Sequence, residues 1–143
     1  MANWYVNRDD LKSALSIPGS ATGDHAHLDG AAEAISRLFE DHVGYHFYPS
    51  SGIRYYTPTE SRHLQLNYPL LSVDAIQHSS DGGSTYGSTM STADYYLQPD
   101  NATEESPPRP FWSVHIRPNA TSSAAGFNKG IIRGTRIQGT WGY

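Results

Sequence analysis

Histidines are the residues of this sequence best suited to bind a metal ion. His25 and His27 form a His-x-His pair, and His42 and His46 stand four residues apart. Imidazole nitrogens are common ligands of zinc and other transition metals. No third ligand is tied to either pair, however, and Gly44 is expected to end a helix between His42 and His46. We therefore interpret these histidines as structural and expect no metal and no cofactor.

The sequence lacks the motifs through which many enzymes hold a nucleophile or a phosphate. It contains no cysteine, which excludes thiol nucleophiles, disulfide bonds and iron–sulfur clusters. It also contains no G-x-S-x-G, P-loop or G-x-G-x-x-G pattern. Paired carboxylates occur at Asp9-Asp10, at Asp29 and Glu33, at Glu40-Asp41 and at Glu104-Glu105. We interpret them as solvated surface or helix caps and expect no enzyme activity and no catalytic residue.

Charge is distributed unevenly along the chain. Residues 1–44 contain three basic and seven acidic residues, whereas residues 109–143 contain five basic residues and no acidic one. One interpretation is ordinary solvated surface. The other is that the acidic part of one subunit meets the basic part of its neighbour in a head-to-tail ring. The sequence pI near 5.9 argues against a protein that recognises nucleic acids through a broad basic surface.

The length and composition predict one folded domain with a thin core. The chain has 143 residues, of which only 25 are Leu, Ile, Val or Phe, a share typical of disorder-prone chains. Ten Tyr, three Trp and a net charge of only −4 argue against disorder. We therefore expect a domain that completes its burial through neighbouring molecules.

Helical patterns are confined to the N-terminal third. We expect a short helix over residues 8–15, because Asn7 suits its N-cap and the run Ile17-Pro18-Gly19 ends it. Apolar residues spaced by three and four predict a long helix over residues 24–43, capped by Asp24 and ended by Gly44. The residues expected to pack in its core are Leu28, Ile35 and Phe39.

Strand patterns dominate the remainder of the chain. Two aromatic runs, residues 45–48 and 53–56, flank Pro49-Ser50-Ser51-Gly52. This pattern predicts a β-hairpin. Further strands are expected around residues 64–66, 73–77, 94–97, 112–117 and 137–141. The fold class is therefore α+β, with N-terminal helices, one short and one long, followed by an antiparallel β part with long loops.

Two segments have the composition of long loops. Residues 79–93 are rich in Ser, Thr and Gly, and residues 99–110 contain four prolines and three acidic residues. We expect neither segment to build a core, and long loops of this kind are usually functional or disordered. Both are candidates to reach across a neighbouring subunit.

The C-terminal segment, residues 135–143, has the pattern of a paired strand. Ile137, Gly139 and Trp141 share one face, and a free tail would leave Trp141 and Tyr143 in water. The strand either closes the subunit's own sheet or docks on a neighbour or another protein. We favour the internal strand, because a turn at Gly134 would return the chain to the same sheet.

Several short sequence pieces occur in an order that resembles the head–tail connector proteins of long-tailed bacteriophages and prophages. These adaptor proteins are also called head completion proteins. The pieces are Tyr5-Val6-x4-Leu11-Lys12-x-Ala14-Leu15; Ala31-Ala32-x-Ala34-Ile35-Ser36-Arg37 running to Gly44-Tyr45-x-Phe47-Tyr48-Pro49; Leu64-x-Leu66-x-Tyr68-Pro69-Leu70-Leu71-Ser72-Val73; Asp94-Tyr95-Tyr96-Leu97; and Gly139-Thr140-Trp141-Gly142-Tyr143. The resemblance covers essentially the whole chain. The sequence departs from the family in its Ser/Gly/Thr-rich stretch and its Pro-rich acidic insert.

The resemblance implies a structural virion protein without enzyme activity. Members form a ring, usually of twelve subunits, that connects the portal protein to the tail or neck (stopper or terminator) protein. Double-stranded DNA passes through the ring without sequence-specific binding. The expected location is the virion neck, after synthesis in the host cytoplasm and without membrane contact, which agrees with an N-terminus that lacks a signal-peptide pattern. The chain then forms a single domain over residues 1–143, with a helical part (1–44) and a β-rich part (45–143).

Terminal aromatic and basic residues are the candidates for the subunit or portal interface. They are Trp4, Tyr5, Arg133, Arg136, Trp141 and Tyr143. Exposed Tyr and Trp side chains also suit sugar binding, so a tail-associated carbohydrate-binding β module is the alternative function. A small hydrolase is a more remote alternative.

Overall fold

A computed structural model describes residues 4–106, 108–120 and 126–143 of the chain. Two helices are followed by a five-stranded antiparallel sheet, which confirms the α+β prediction. The helices are α1 (Arg8–Ala14) and α2 (His25–Val43). The strands are β1 (Ser50–Tyr56), β2 (His63–His78), β3 (Tyr95–Gln98), β4 (Phe111–Ile116) and β5 (Thr135–Trp141). The chain divides into two compact units, a helical unit that ends at Tyr45 and a β unit that begins at His46.

The ends of both helices follow the predicted capping pattern with one exception. Asn7 caps α1, because its side-chain oxygen accepts a hydrogen bond of 2.8 Å from the backbone N–H of Asp10. Gly44 ends α2 in the left-handed conformation with φ +83°. Asp24 occupies the N-cap of α2, but its side chain makes no capping hydrogen bond, so that part of the prediction is wrong.

The buried face of α2 differs from the predicted one. Buried residues recur every four positions, at Leu28, Ala32, Ser36 and Glu40. Leu28 is buried as expected, but Ile35 and Phe39 are 57% and 48% exposed, so their assignment to the core is wrong. The apolar spacing identified a face of α2 that is exposed. It did not identify the packed face, because the packed face is held largely by hydrogen bonds of polar side chains.

The sheet of the β unit has the order β1-β5-β2-β4-β3, with every neighbouring pair antiparallel. The two patterns around residues 64–66 and 73–77 belong to one long strand, β2. Its first part pairs with β4, its second part pairs with β5, and the register shifts several times along it. These irregularities explain why the alternation in the sequence looked like two separate strands.

The C-terminal strand β5 lies inside the subunit's own sheet, between β1 and β2, which confirms the internal alternative. A turn at Gly134 leads into it, with the Gly134 N–H donating to the carbonyl of Ile131 over 2.9 Å. The predicted hairpin between residues 45–48 and 53–56 is wrong. Only the second run is a strand, and its partner is β5, far away in sequence.

Both long loops contribute to the core, contrary to expectation. In the first loop Met90 is buried and its N–H donates to the carbonyl of Ile76 over 2.7 Å. Asp81 accepts hydrogen bonds from the hydroxyls of Ser79 and Thr85, which lower the pKa of the Asp81 carboxyl. Local hydrogen bonds of short polar side chains therefore organise a segment whose composition suggested no structure.

The second loop, whose residue 107 lies outside the described ranges, is anchored in the same way. Ala102 is almost fully buried, and its carbonyl accepts a hydrogen bond of 2.8 Å from the backbone of Arg109. Pro110 is buried as well. The prolines limit the conformations of this segment before folding, so ordering it costs less entropy than its length suggests.

Candidate interaction surfaces

An Arg–Tyr cluster of Tyr55, Tyr86, Arg133 and Arg136 lies on the β unit. Register pairing places Tyr55 of β1 opposite Arg136 of β5. The guanidinium carbon of Arg136 lies 4.4 Å from the ring centroid of Tyr86, and that of Arg133 lies 4.0 Å from the ring centroid of Tyr55. The two tyrosine rings are 6.1 Å apart. Each guanidinium therefore faces an aromatic ring, an arrangement that attracts the cation and holds its orientation.

Two side-chain hydroxyl groups hold the backbone of Arg133 in place. Its N–H donates to the hydroxyl of Thr57 over 3.1 Å, and its carbonyl accepts from the hydroxyl of Tyr86 over 2.8 Å. Arg133 has φ +52°, a left-handed conformation that costs energy for a residue with a side chain. Gly83 packs against it so closely that a Cβ atom would come within 2.9 Å of the Arg133 Cβ. Strain maintained by surrounding contacts is typical of positions with a function.

The cluster is positively charged and is bordered by apolar side chains. Arg136 donates from Nε to the side-chain oxygen of Gln77 over 2.8 Å, an uncharged acceptor. Within the described ranges, no carboxylate forms an ion pair with Arg133 or Arg136. Ile132 is 70% exposed and Ile53 is 45% exposed. This combination suits a partner that offers carboxylates beside apolar side chains.

The helical unit presents a different surface, an apolar strip of Ile35, Leu38, Phe39 and His42 on α2. These residues line a shallow groove of about 370 Å³. Leu38 is 70% exposed, and the rings of Phe39 and Tyr5 form a T-shaped pair with 6.2 Å between their centroids. Three large apolar residues exposed on successive turns of one helix are typical of a protein contact.

The helical unit also carries the entire negative net charge of the chain. It has three basic and seven acidic residues, whereas the β unit has seven of each. Arg8 forms an ion pair with Asp29, which lowers the pKa of that carboxyl, and Arg37 pairs with Glu40 at 2.7 Å. The other five acidic residues are exposed and form no ion pair within the described ranges: Asp9, Asp10, Asp24, Glu33 and Asp41. The surface is therefore acidic.

The four predicted interface residues of the β unit do not form one site. Arg133 and Arg136 both belong to the Arg–Tyr cluster. Tyr143 is half-exposed, with its ring 5.5 Å from that of Phe47. Trp141 is only 1% exposed and its indole N–H donates to the carbonyl of Gly52 over 3.0 Å. Trp141 thus serves the core of its own subunit and is unavailable for an interface.

The remaining two candidates lie in the helical unit. Trp4 is half-buried. The N–H of Tyr5 donates to the hydroxyl of Ser36 over 3.1 Å, and its phenol donates to the carboxylate of Glu40. Tyr5 therefore ties the N-terminal segment to the buried polar face of α2. Its role inside the unit was hidden in the sequence, where Glu40 looked like a solvated residue.

The histidines considered as metal ligands have other neighbours. The ring nitrogens of His25 lie 3.1 Å from an Arg8 nitrogen and 2.7 Å from the ammonium of Lys12, two cations that oppose a metal ion. His46 stacks on Tyr48 at 4.9 Å. In the part of the chain that the structure describes, no three His, Asp or Glu side chains are arranged to hold a metal.

Sequence reasoning missed Tyr55 and Tyr86 as members of the cluster. The sequence predicts that Tyr55 lies in a strand and that Tyr86 lies in a long loop that builds no core. The only available signal was the concentration of tyrosines and arginines in the β-rich part. Their convergence depends on the non-local pairing of β1 with β5 and on the folding of the first long loop.

Comparisons of the chain with protein-family models, with curated proteins and with solved structures find no match. The resemblance to the phage connector family therefore rests on the order of the short sequence pieces. Within the described ranges, neither helix is long and apolar enough to cross a membrane.

Proposed function

We propose that this chain is a structural virion protein that forms a ring, connects the phage portal to the tail, and lets DNA pass. The observation that carries the proposal is the presence of two unlike exposed surfaces on one chain, the Arg–Tyr cluster and the acidic helical unit with its apolar strip. Unlike surfaces favour heterologous contacts between copies, and such contacts generate closed rings when the rotation closes. The order of the sequence pieces that resemble connector proteins supports the same function.

The charge of the chain suits passage of DNA. Proteins that hold DNA tightly neutralise several phosphates with Lys and Arg and release counterions. This chain has a net charge of −4, and its β unit has as many acidic as basic residues. A ring built from such subunits would exert little attraction on the duplex, so DNA could slide through without being read.

The alternative of a carbohydrate-binding module is less well supported. Sugar-binding sites use the open face of an aromatic ring, on which a pyranose stacks. In the Arg–Tyr cluster a guanidinium group lies over each tyrosine ring. This arrangement favours recognition of an anionic partner over recognition of a neutral sugar.

Native mass spectrometry and negative-stain electron microscopy of the purified chain test the proposal. We expect a ring with a mass near twelve times 15.8 kDa, in the free protein or on addition of the portal protein. A phage lacking the gene should yield filled heads and free tails that do not join. A chain that stays monomeric with and without portal protein, together with glycan-dependent binding, would support the carbohydrate-binding alternative instead.

A further inference from the structure

We propose that the Arg–Tyr cluster of one copy binds the apolar strip and Asp41 of the helical unit of the next copy. This inference rests on the proposed ring and identifies the contact that builds it. Arg133 and Arg136 face the carboxylate of Asp41, while Ile132 and the neighbouring apolar side chains cover the strip.

Charge complementarity identifies the occupant. The cluster contains two guanidinium groups without an ion pair in the described ranges, and arginine stays charged at all physiological pH values. The helical unit contains five exposed acidic residues without an ion pair there and carries the whole net charge of −4. A second copy therefore supplies the carboxylates that these guanidinium groups lack. A guanidinium group can bind a carboxylate through two parallel hydrogen bonds.

The apolar parts of the two surfaces also match. On α2, Leu38 and Asp41 are three residues apart and so lie side by side on the helix surface. In the β unit, Ile132 immediately precedes Arg133 in the chain and is as exposed as Leu38, at 70%. Each surface thus places a largely exposed aliphatic side chain next to a charge, and the charges are opposite.

Pairing of like surfaces is disfavoured. Two helical units in contact would bring acidic surfaces together, and two Arg–Tyr clusters would bring four guanidinium groups together, which costs energy in each case. Only the unlike pairing removes both the charge and the apolar exposure. That pairing is heterologous, so it continues from copy to copy until a ring closes.

Cysteine cross-linking tests the contact directly, because the chain contains no cysteine of its own. The double variant Leu38→Cys, Ile132→Cys, treated with a short bismaleimide, should give a ladder of covalent dimers, trimers and higher species under denaturing conditions. The control pair Leu38→Cys, Thr103→Cys should give no ladder, since Thr103 is exposed in the loop between β3 and β4, at the other edge of the sheet. Leu38→Cys alone should give no dimer.

A charge exchange supplies the second test, read by sedimentation. Asp41→Arg and Arg133→Glu should each weaken association by about tenfold or more, and the double variant should regain most of it. Glu33→Arg and Lys129→Glu, equal charge changes at exposed positions outside the contact, should have smaller effects. Thermal melts verify folding, and Arg133→Gln, which removes charge without reversing it, should show an intermediate loss.

The outcomes separate this contact from the proposed function. A ladder together with charge-exchange rescue supports the contact. A ring that assembles normally in both single charge variants and gives no ladder overturns the contact and leaves the ring function standing. Dimers from Leu38→Cys alone would show a helix-to-helix contact and also overturn it. A wild-type chain that never associates, even with portal protein, overturns both.

Discussion

The helical unit and the β unit bury different kinds of residues. In the helical unit Lys12, Ser36 and Glu40 are buried beside Leu28 and Ala32, while the large apolar residues of α2 face outwards. In the β unit the buried set is mostly apolar: Leu64, Leu66, Leu70, Ile76, Val114, Ile137 and Trp141. The β unit therefore has a self-sufficient hydrophobic core, whereas the helical unit is held by hydrogen bonds and ion pairs.

This difference suggests that the two units have different roles, one in contacts with other molecules and the other in the stability of the subunit. Hydrogen bonds and exposed ion pairs contribute little net stability, while apolar burial is the main favourable term in folding. Because the helical unit exposes its apolar strip, the strip contributes little to the stability of the free subunit. Its burial can instead contribute free energy to a contact with another molecule. The β unit supplies the rigid frame on which the Arg–Tyr cluster is held.

The largest expected effect lies in the core of the β unit. Trp141→Ala removes a side chain that is 1% exposed, tilted against the ring of Tyr56, edge-on to the ring of Tyr68, and hydrogen-bonded through its indole N–H to the carbonyl of Gly52. We expect a loss of about 3–5 kcal/mol in the free energy of unfolding, measured by urea denaturation. Trp141→Phe should lose less because it keeps a ring. A loss below about 1 kcal/mol for the alanine variant would contradict the picture of a self-sufficient apolar core.

The next effect concerns the polar packing of the helical unit. Lys12 is buried, and its ammonium donates to the carbonyls of Gly19 and Ala21. Lys12→Met leaves both carbonyls without this donor, and we expect the unit to lose about 1–3 kcal/mol, seen as earlier loss of the helical circular-dichroism signal. Lys129→Met, at an exposed lysine of the β unit, is the matched control and should leave the melt unchanged. Equal melts for both variants would refute a role for buried polar bonds.

Acid should destabilise the β unit through its half-buried histidines. Burial lowers the pKa of His78 in the folded protein below its ordinary value of 6.5, and burial together with His63 lowers that of His115. The unfolded chain therefore binds more protons, so stability is full above about pH 6.5 and falls as the pH drops through the lowered folded pKa values. Denaturation across a pH series should show this slope, and His78→Asn should reduce it.

Exposed His27 in the helical unit provides the control for this pH series. The variant His27→Asn should keep the wild-type slope. If His27→Asn and His78→Asn flatten the slope equally, the acid sensitivity does not come from burial in the β unit.

The smallest effect on stability should come from the apolar strip. Phe39→Ala truncates a side chain that is about half-exposed, so we expect the subunit to lose less than about 1 kcal/mol, far less than for Trp141→Ala. Ile35→Ala should behave in the same way. Both should nevertheless weaken association of copies. A loss of several kcal/mol in the isolated subunit would show that the strip packs within its own chain.

Much of the secondary structure was predictable because it depends on local chemistry. Asn7 capped α1 and Gly44 ended α2 as expected, since both effects involve only neighbouring backbone groups. The alternation of Ile137, Gly139 and Trp141 predicted a buried strand face for the same reason. The candidate site was predictable only in part: the basic residues Arg133 and Arg136 were identified, but their tyrosine partners were not.

The sequence by itself determined the α+β class, the position of the helices before the strands, and the acidic and basic ends of the chain, because periodicity, capping and charge are local properties. The tertiary structure decided which face of α2 packs, that Trp141 lies inside the sheet, and that Tyr55, Tyr86, Arg133 and Arg136 converge. Those outcomes depend on pairings between residues far apart in the chain. Their energies involve burial and hydrogen bonding of both partners together, which no local pattern contains.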